Sequence, residues 1–164
     1  MCNWRNDPVT RQGFFDQDEI PWEEHREWFE RKLMNQDCIW YLVDDGAGNA
    51  VAQVRFDIEN DGDAMVSVAA APNMRNRGYG TEALKLSTST LMREVPRVSR
   101  AIAYIRPENV ASKRAFANAG YTYVGETPVH GLQATTMFLE REQKDTLGTS
   151  TIQASSKQEH FERL

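Results

Sequence analysis

The chain has 164 residues, a length that suits one domain with a substantial core, and its 40% hydrophobic and 26% charged residues are a globular balance. A formal net charge of −5 argues against a nucleic-acid partner, which calls for a basic face. Cys2 and Cys38 give neither a disulfide framework nor a metal spacing, His25, His130 and His160 are scattered, and no signal or membrane-length apolar run is present, so a cytoplasmic protein without metal or membrane partner is expected.

Trp4-Arg5-Asn6-Asp7-Pro8 reads as the end of a helix, because Pro8 cannot continue one. Ile20 to Asn35 reads as a helix with Glu23 and Glu24 early and Arg31 and Lys32 late, the charge order that suits the helix dipole. Trp22, His25, Phe29 and Leu33 form its expected apolar face, with Trp28 beside them. Cys38 to Val43 and Ala50 to Asp57 are strands joined by the turn at Asp45 to Asn49, and the second alternates Val51, Gln53, Arg55 and Asp57 against Ala52, Val54 and Phe56. A third strand leads through Val66, Val68 and Ala70 to Pro72, and a helix ends near Glu94. Arg100 to Ile105 reads as a strand, Asn109 to Ala119 as a helix capped by Gly120, Tyr121 to Val124 as a strand, Gly125 to Gly131 as a loop, and Leu132 to Leu139 as the closing strand. Residues 1–141 form the domain, and 142–164 read as a polar, flexible tail. Three meandering strands followed by strand, loop and helix give an α+β fold.

The informative stretch is Val66 to Leu84, VSVAAAPNMRNRGYGTEAL. Gly78 and Gly80 leave backbone N–H groups uncovered at a helix start, and Arg75 and Arg77 add positive charge, so the stretch suits a phosphate or pyrophosphate. A Walker loop needs lysine where Thr81 stands. Gly78, Gly80 and Ala83 match a dinucleotide fingerprint, but Pro72 to Arg77 separate them from their strand, and no acidic residue ends a following strand. A ligand-free glycine-rich cap is the remaining alternative.

The spacing Arg75-x-x-Gly78-x-Gly80 resembles the acyl-CoA signature of the GNAT N-acetyltransferases, and Asn109-x-x-Ser112, Phe116 and Gly120-Tyr121 resemble that family's second motif. The resemblance implies a mostly antiparallel sheet with a V-shaped splay, flanked by helices, and acetyl-CoA as acyl donor to an amine that attacks directly. It implies a CoA site made of Val68, Ala70, Ala71, Arg75, Asn76, Arg77, Gly78, Tyr79, Gly80, Thr81, Asn109, Ser112, Lys113 and Phe116, with Arg114 as a second cation for the 3′-phosphate. Phe116 stands where many relatives carry a proton-donating tyrosine, which moves the catalytic expectation to Ser112, Asn109 and Tyr121, with Tyr104 also weighed. Asp57, Glu59, Glu126 and His130 are the candidate bases. Trp22, His25, Arg55 and His130 are the expected acceptor contacts. The amine is expected to be small, an amino sugar or sugar nucleotide, by likeness of Trp4 to Asp7, Trp22-x-x-His25 and Gln53 to Asp57 to one branch of the family. Its competitors are a ribosomal-protein N-terminal acetyltransferase and a non-catalytic acyl-CoA-binding domain. Homodimers are common in the family. The family's first strand precedes the position of Trp4, so the sheet is expected to lack that strand and leave its neighbour's edge unpaired.

Overall fold

The computed structural model describes residues 2–59, 61–142 and the backbone of 161–163. Three helices come first: α1 (Cys2–Asn6), α2 (Pro8–Gln12) and α3 (Trp22–Met34). The strands β1 (Cys38–Asp44), β2 (Ala50–Ile58) and β3 (Asp63–Ala70) lead to α4 (Tyr79–Glu94), β4 (Arg100–Ile105), α5 (Val110–Asn118), β5 (Thr122–Val129), β6 (Leu132–Glu140) and β7 (Phe161–Arg163). The sheet order is β5-β6-β4-β3-β2-β1-β7, and every neighbouring pair is antiparallel except β3 and β4. Among the described residues no helix is long and apolar enough to cross a membrane.

The alternation read in β2 sorts the two sheet faces. Val54 and Phe56, with Tyr41 of β1, enter a core shared with Leu84 and Leu91 of α4, all fully or nearly fully enclosed. Burying each such side chain contributes roughly 1.5–3 kcal/mol. The opposite face, with Trp40, Gln53, Arg55, Ser67 and Ala69, meets the N-terminal helices.

The parallel pairing of β3 with β4 covers only Asp63↔Arg100, Ala64↔Ala101 and Met65↔Ile102. Beyond Met65 the strands part, which is the expected splay. Its closed end is fastened twice. Arg100 donates from Nε and Nη2 to the two oxygens of buried Asp63 at 2.9 and 2.6 Å, and the Gly62 carbonyl accepts from the Ser99 amide at 2.8 Å.

Several expectations need correction. A helix does end ahead of Pro8, at Asn6, but Pro8 then starts a second short helix with Asp7 as its cap. The edge of β1 is paired: Tyr41, Leu42 and Val43 align with Arg163, Glu162 and Phe161 of β7. The rest of the expected tail, 143–160 and Leu164, lies outside the described residues. The apolar face of α3 is rotated, because His25, Trp28 and Phe29 gather around Trp40, leaving Trp22 59% exposed and Leu33 46% exposed. The expected loop at Gly125 to Gly131 is mostly strand: β5 continues through a bulge at Gly125 (φ +141°) and past Pro128. It sits at the sheet edge, where a missing N–H costs no ladder bond. Only His130 and Gly131 form the turn, both with positive φ, as a two-residue hairpin of this kind requires.

Candidate active site

The sequence from Ala71 to Thr81 builds an anion cradle. Pro72–Met74 forms a short 3-10 turn, Asn76 and Gly78 take left-handed backbone angles (φ +60° and +86°), and Gly78 caps α4 with no side-chain hydrogen bond to its first-turn amides. The Tyr79 and Gly80 amides have no partner inside the helix and lie at the positive end of its dipole, while the Thr81 amide bonds back to the Gly78 carbonyl at 3.0 Å. A Cβ at Gly78 or Gly80 would meet nothing within 4 Å, so the space over both belongs to something other than this chain's side chains.

The cradle opens into a cleft of about 530 Å³ between the end of β3 and the start of α5. Val68, Ala69 and Ala70 line one side, Asn109, Ser112 and Arg114 of the α5 region the other, and Arg75, Asn76, Gly78, Tyr79, Gly80 and Thr81 the end. Backbone direction follows from one bond. The Ala71 amide donates to the Val51 carbonyl at 2.9 Å, so residues at even steps from Ala71 point toward β2, and the N–H groups of Val68 and Ala70 point into the slot. Asn109 caps α5 by accepting from the Ser112 amide at 3.1 Å, which fixes both residues at the slot wall.

Not every expected residue reaches this cleft. Ala71 is buried with its amide used by Val51. Arg77 is exposed and outside the lining. Arg75 lines the cleft, but its guanidinium is bound to the Asp7 carboxylate and the Thr10 hydroxyl. The Thr10 amide and then Arg75 hold the Asp7 carboxyl below the ordinary carboxylate range. Lys113 turns its ammonium onto the Pro107 carbonyl, so Arg114 is the α5 cation facing the cleft. Phe116 is 3% exposed, and its ring stands edge-on to Tyr121 with centroids 4.9 Å apart. Tyr121 is itself buried, with its hydroxyl 2.7 Å from that of Thr88, and burial pushes its pKa well up. Neither ring lines the cleft, and Tyr104 does not either.

A second cavity, of about 500 Å³, lies on the Trp40 face of the sheet and meets the first at Phe14 and Ala69. Trp28 and Trp40 form an aromatic wall, and the Arg55 guanidinium lies 5.1 Å from the Trp28 ring and 5.6 Å from the Trp40 ring. Arg5, Phe14, His25, Gln53 and Ser67 complete the interior, with Asp16, Glu24, Glu27 and Arg31 as further lining residues. The structure therefore brings His25 and Arg55 to one site. It does not bring Trp22, which faces solvent, or His130, which sits exposed in the β5–β6 turn. The candidate bases are dispersed as well. Burial pushes the Asp57 carboxyl up, but Arg55 (2.9 Å) and Lys32 (2.6 Å) outweigh it and hold it low. Glu126 accepts from Thr135, and Glu59 is exposed beyond β2.

Sequence reasoning missed the wall common to both cavities. Val9, Thr10, Gly13 and Phe14 line the slot, while Arg5, Phe14 and Asp16 line the second cavity. Asp7 followed by Pro8 and Thr10 is a helix-start pattern that marks α2, but nothing local says which cleft that helix borders.

The sequence model of the acetyltransferase (GNAT) domain matches residues 1–122. The chain belongs to the GNAT acetyltransferases. Solved GNAT structures share its fold. An aminoglycoside acetyltransferase, AAC(6')-Ib, with coenzyme A superposes with a TM-score of 0.73 at 16% identity, over 85% of this chain and 87% of that one. A spermidine N-acetyltransferase from Vibrio cholerae with CoA and spermine gives 0.74 at 14%, over 85% and 86%. A ribosomal-protein-alanine N-acetyltransferase from Brucella melitensis gives 0.70 at 20%, over 85% and 91%. No curated protein matches the chain. As a GNAT domain the protein is an N-acetyltransferase with acetyl-CoA as acyl donor. The uncovered first-turn amides and the open space over Gly78 and Gly80 fit that donor's pyrophosphate.

His25 supports a prediction about pH. Burial, aided by the nearby Arg5 charge, lowers its pKa from the ordinary 6.5, so the folded protein resists protonating it. Above about pH 6.5 the group is neutral in both states and contributes nothing; below that, the unfolded chain binds the proton first and stability falls until the lowered folded pKa is passed. His25→Gln is expected to lose less melting temperature than wild type between about pH 7.5 and 5. Equal losses would mean His25 is protonated freely in the fold.

Proposed function

We propose that this GNAT enzyme acetylates the primary amine of a small hydrophilic acceptor of the amino-sugar class, nucleotide-linked sugars included. The observation that carries this reading is the second cavity itself. It sets the half-buried Trp28 ring, backed by Trp40, beside Arg55, Gln53, Ser67 and His25, a pairing that matches the C–H faces and hydroxyl groups of a sugar ring.

Acetyl-CoA supplies a thioester-activated acetyl group. The chain's part is to hold it and to aim the amine. The amides of Gly78, Tyr79 and Gly80 take the pyrophosphate, Arg114 serves the adenosine phosphate, and Asn109 and Val68 line the arm. The N–H groups of Val68 and Ala70 stand ready to donate to the acyl oxygen, a preorganised contact typically worth roughly 10²–10³ in rate. The attacking amine forms the C–N bond as the C–S bond breaks, its surplus proton goes to water, and the Ser112 hydroxyl donates a hydrogen bond to the departing sulfur. Direct transfer is the fit, because neither cysteine lines a cleft and both are buried.

A panel of amines read by thiol release tests this. Amino sugars and sugar nucleotides are expected to be acetylated, with N-terminal peptides inert. Turnover of the peptides alone would overturn the acceptor class. Intact acetyl-CoA across the whole panel, from a protein that acetyl-CoA protects against melting, would make this a binding domain.

A further inference from the structure

Charge around the second cavity is balanced in number but not in place: Arg5, Arg31 and Arg55 line it against Asp16, Glu24 and Glu27, whose residues are exposed, while Arg5 and Arg55 reach the interior. Asp57 is shared by Lys32 and Arg55, one carboxylate between two cations, so that cluster has one charge to spare. Arg55 spends only Nε on Asp57; its guanidinium lies against the Trp28 and Trp40 rings, and among the described residues its two terminal nitrogens have no hydrogen-bond acceptor. Arg5 donates from Nη2 to the Asp16 backbone carbonyl at 2.8 Å and lies 4.5 Å over the Phe14 ring, while its Nη1 is shut off from solvent without a partner. Gln53 Oε1 is buried and unpartnered too, but as an acceptor it calls for a hydroxyl or amine of the ligand rather than for the anion. Buried polar groups of this kind cost free energy unless something bonds them. The carboxylates of Asp16, Glu24 and Glu27 are on exposed residues, where solvent weakens their claim on either arginine.

We infer that Arg5 and Arg55 form an anion subsite, and that the acceptor carries a phosphate or carboxylate in addition to its amine. This rests on the acetyltransferase reading above and narrows it. The register places the two ends. Trp40, Arg55 and Ser67 are cross-strand neighbours, and Gln53 with Ala69, where the slot opens, lie two residues along. At ~3.4 Å per residue that is roughly 7 Å. The acceptor's anion and its amine are therefore bound at separate positions along the strands.

Calorimetric binding of glucosamine and of glucosamine 6-phosphate to the CoA-loaded protein tests the subsite. The phosphorylated amine is expected to bind roughly tenfold to hundredfold tighter, as charge-assisted bonds to arginine imply. Arg5→Gln and Arg55→Gln should each cut that advantage to about threefold or less, with Arg55→Lys restoring part of it. Exposed Arg93→Gln should keep the advantage, and protection by acetyl-CoA should survive in all four variants. Equal binding of the two probes, no binding of either, preference for spermidine, or undiminished discrimination in the arginine variants would overturn the subsite. Failure of the acetyltransferase reading looks different: no thiol release with any amine and no protection by acetyl-CoA.

Discussion

Gly80→Glu is expected to abolish protection by acetyl-CoA in a thermal melt while leaving the ligand-free protein as stable as wild type. Gly80 sits in the first turn of α4, and a Cβ there meets nothing within 4 Å, so the new side chain enters open space. Replacing a helical glycine gains up to about 1 kcal/mol of propensity, and a carboxylate near a helix start adds a few tenths more. The ligand-free melting temperature should therefore hold or rise. The bound state suffers, because the carboxylate lies where the pyrophosphate is to sit and repels it. At a hundredfold excess over Kd, ligand binding adds ~2.7 kcal/mol, or about 5–11 °C for a domain of this size. That whole increment should vanish, and thiol release with it. Gly80→Ala, with a methyl and no charge, should fall between. Undiminished protection of the glutamate variant would mean that the pyrophosphate does not use this loop.

Gly62→Ala is expected to cost about 3 kcal/mol or more in stability, a fall in melting temperature of roughly 6–15 °C. Gly62 has φ +89°, and its Cβ would come 2.8 Å from the Arg97 carbonyl oxygen, a backbone atom that cannot swing away. The residue also fastens the closed end of the splay, so the strain falls where β3 and β4 are held together. Loss of affinity for acetyl-CoA is expected beside the loss of stability, because both strand edges of the slot start from that fastening. A variant that melts like wild type would show that the turn can shift without cost.

Much of this was legible locally. The phosphate cradle is a contiguous run whose chemistry follows from two glycines, a proline and a helix start, so it could be read before any fold was known. The alternation in β2 gave both sheet faces, and with them the inward direction of Arg55. Orientation failed where it depended on partners far along the chain. His25 was placed on the right helix, but whether Trp22 or Trp28 shared its face was decided by Trp40 of β1. Tyr121 and Phe116 look equally able to reach a slot on paper, yet in the core each ring packs on the other and the Tyr121 hydroxyl is bound to Thr88. The missed wall is the plainest case: Thr10 and Phe14 border the clefts because Asp7 meets Arg75, 68 residues later.

That bridge has a consequence for how the protein is made. The segment holding Asp7 and Thr10 cannot take its place until the loop containing Arg75 exists. Phe14 waits longer, since its carbonyl accepts from Arg106, 92 residues on. Domains generally fold as units during synthesis, and contacts between distant residues form slowly. The two cavities therefore close late in folding, once both distant partners of this segment have been made. A nascent chain stalled before Arg106 would contain the whole phosphate cradle and still have nowhere to seat an acceptor.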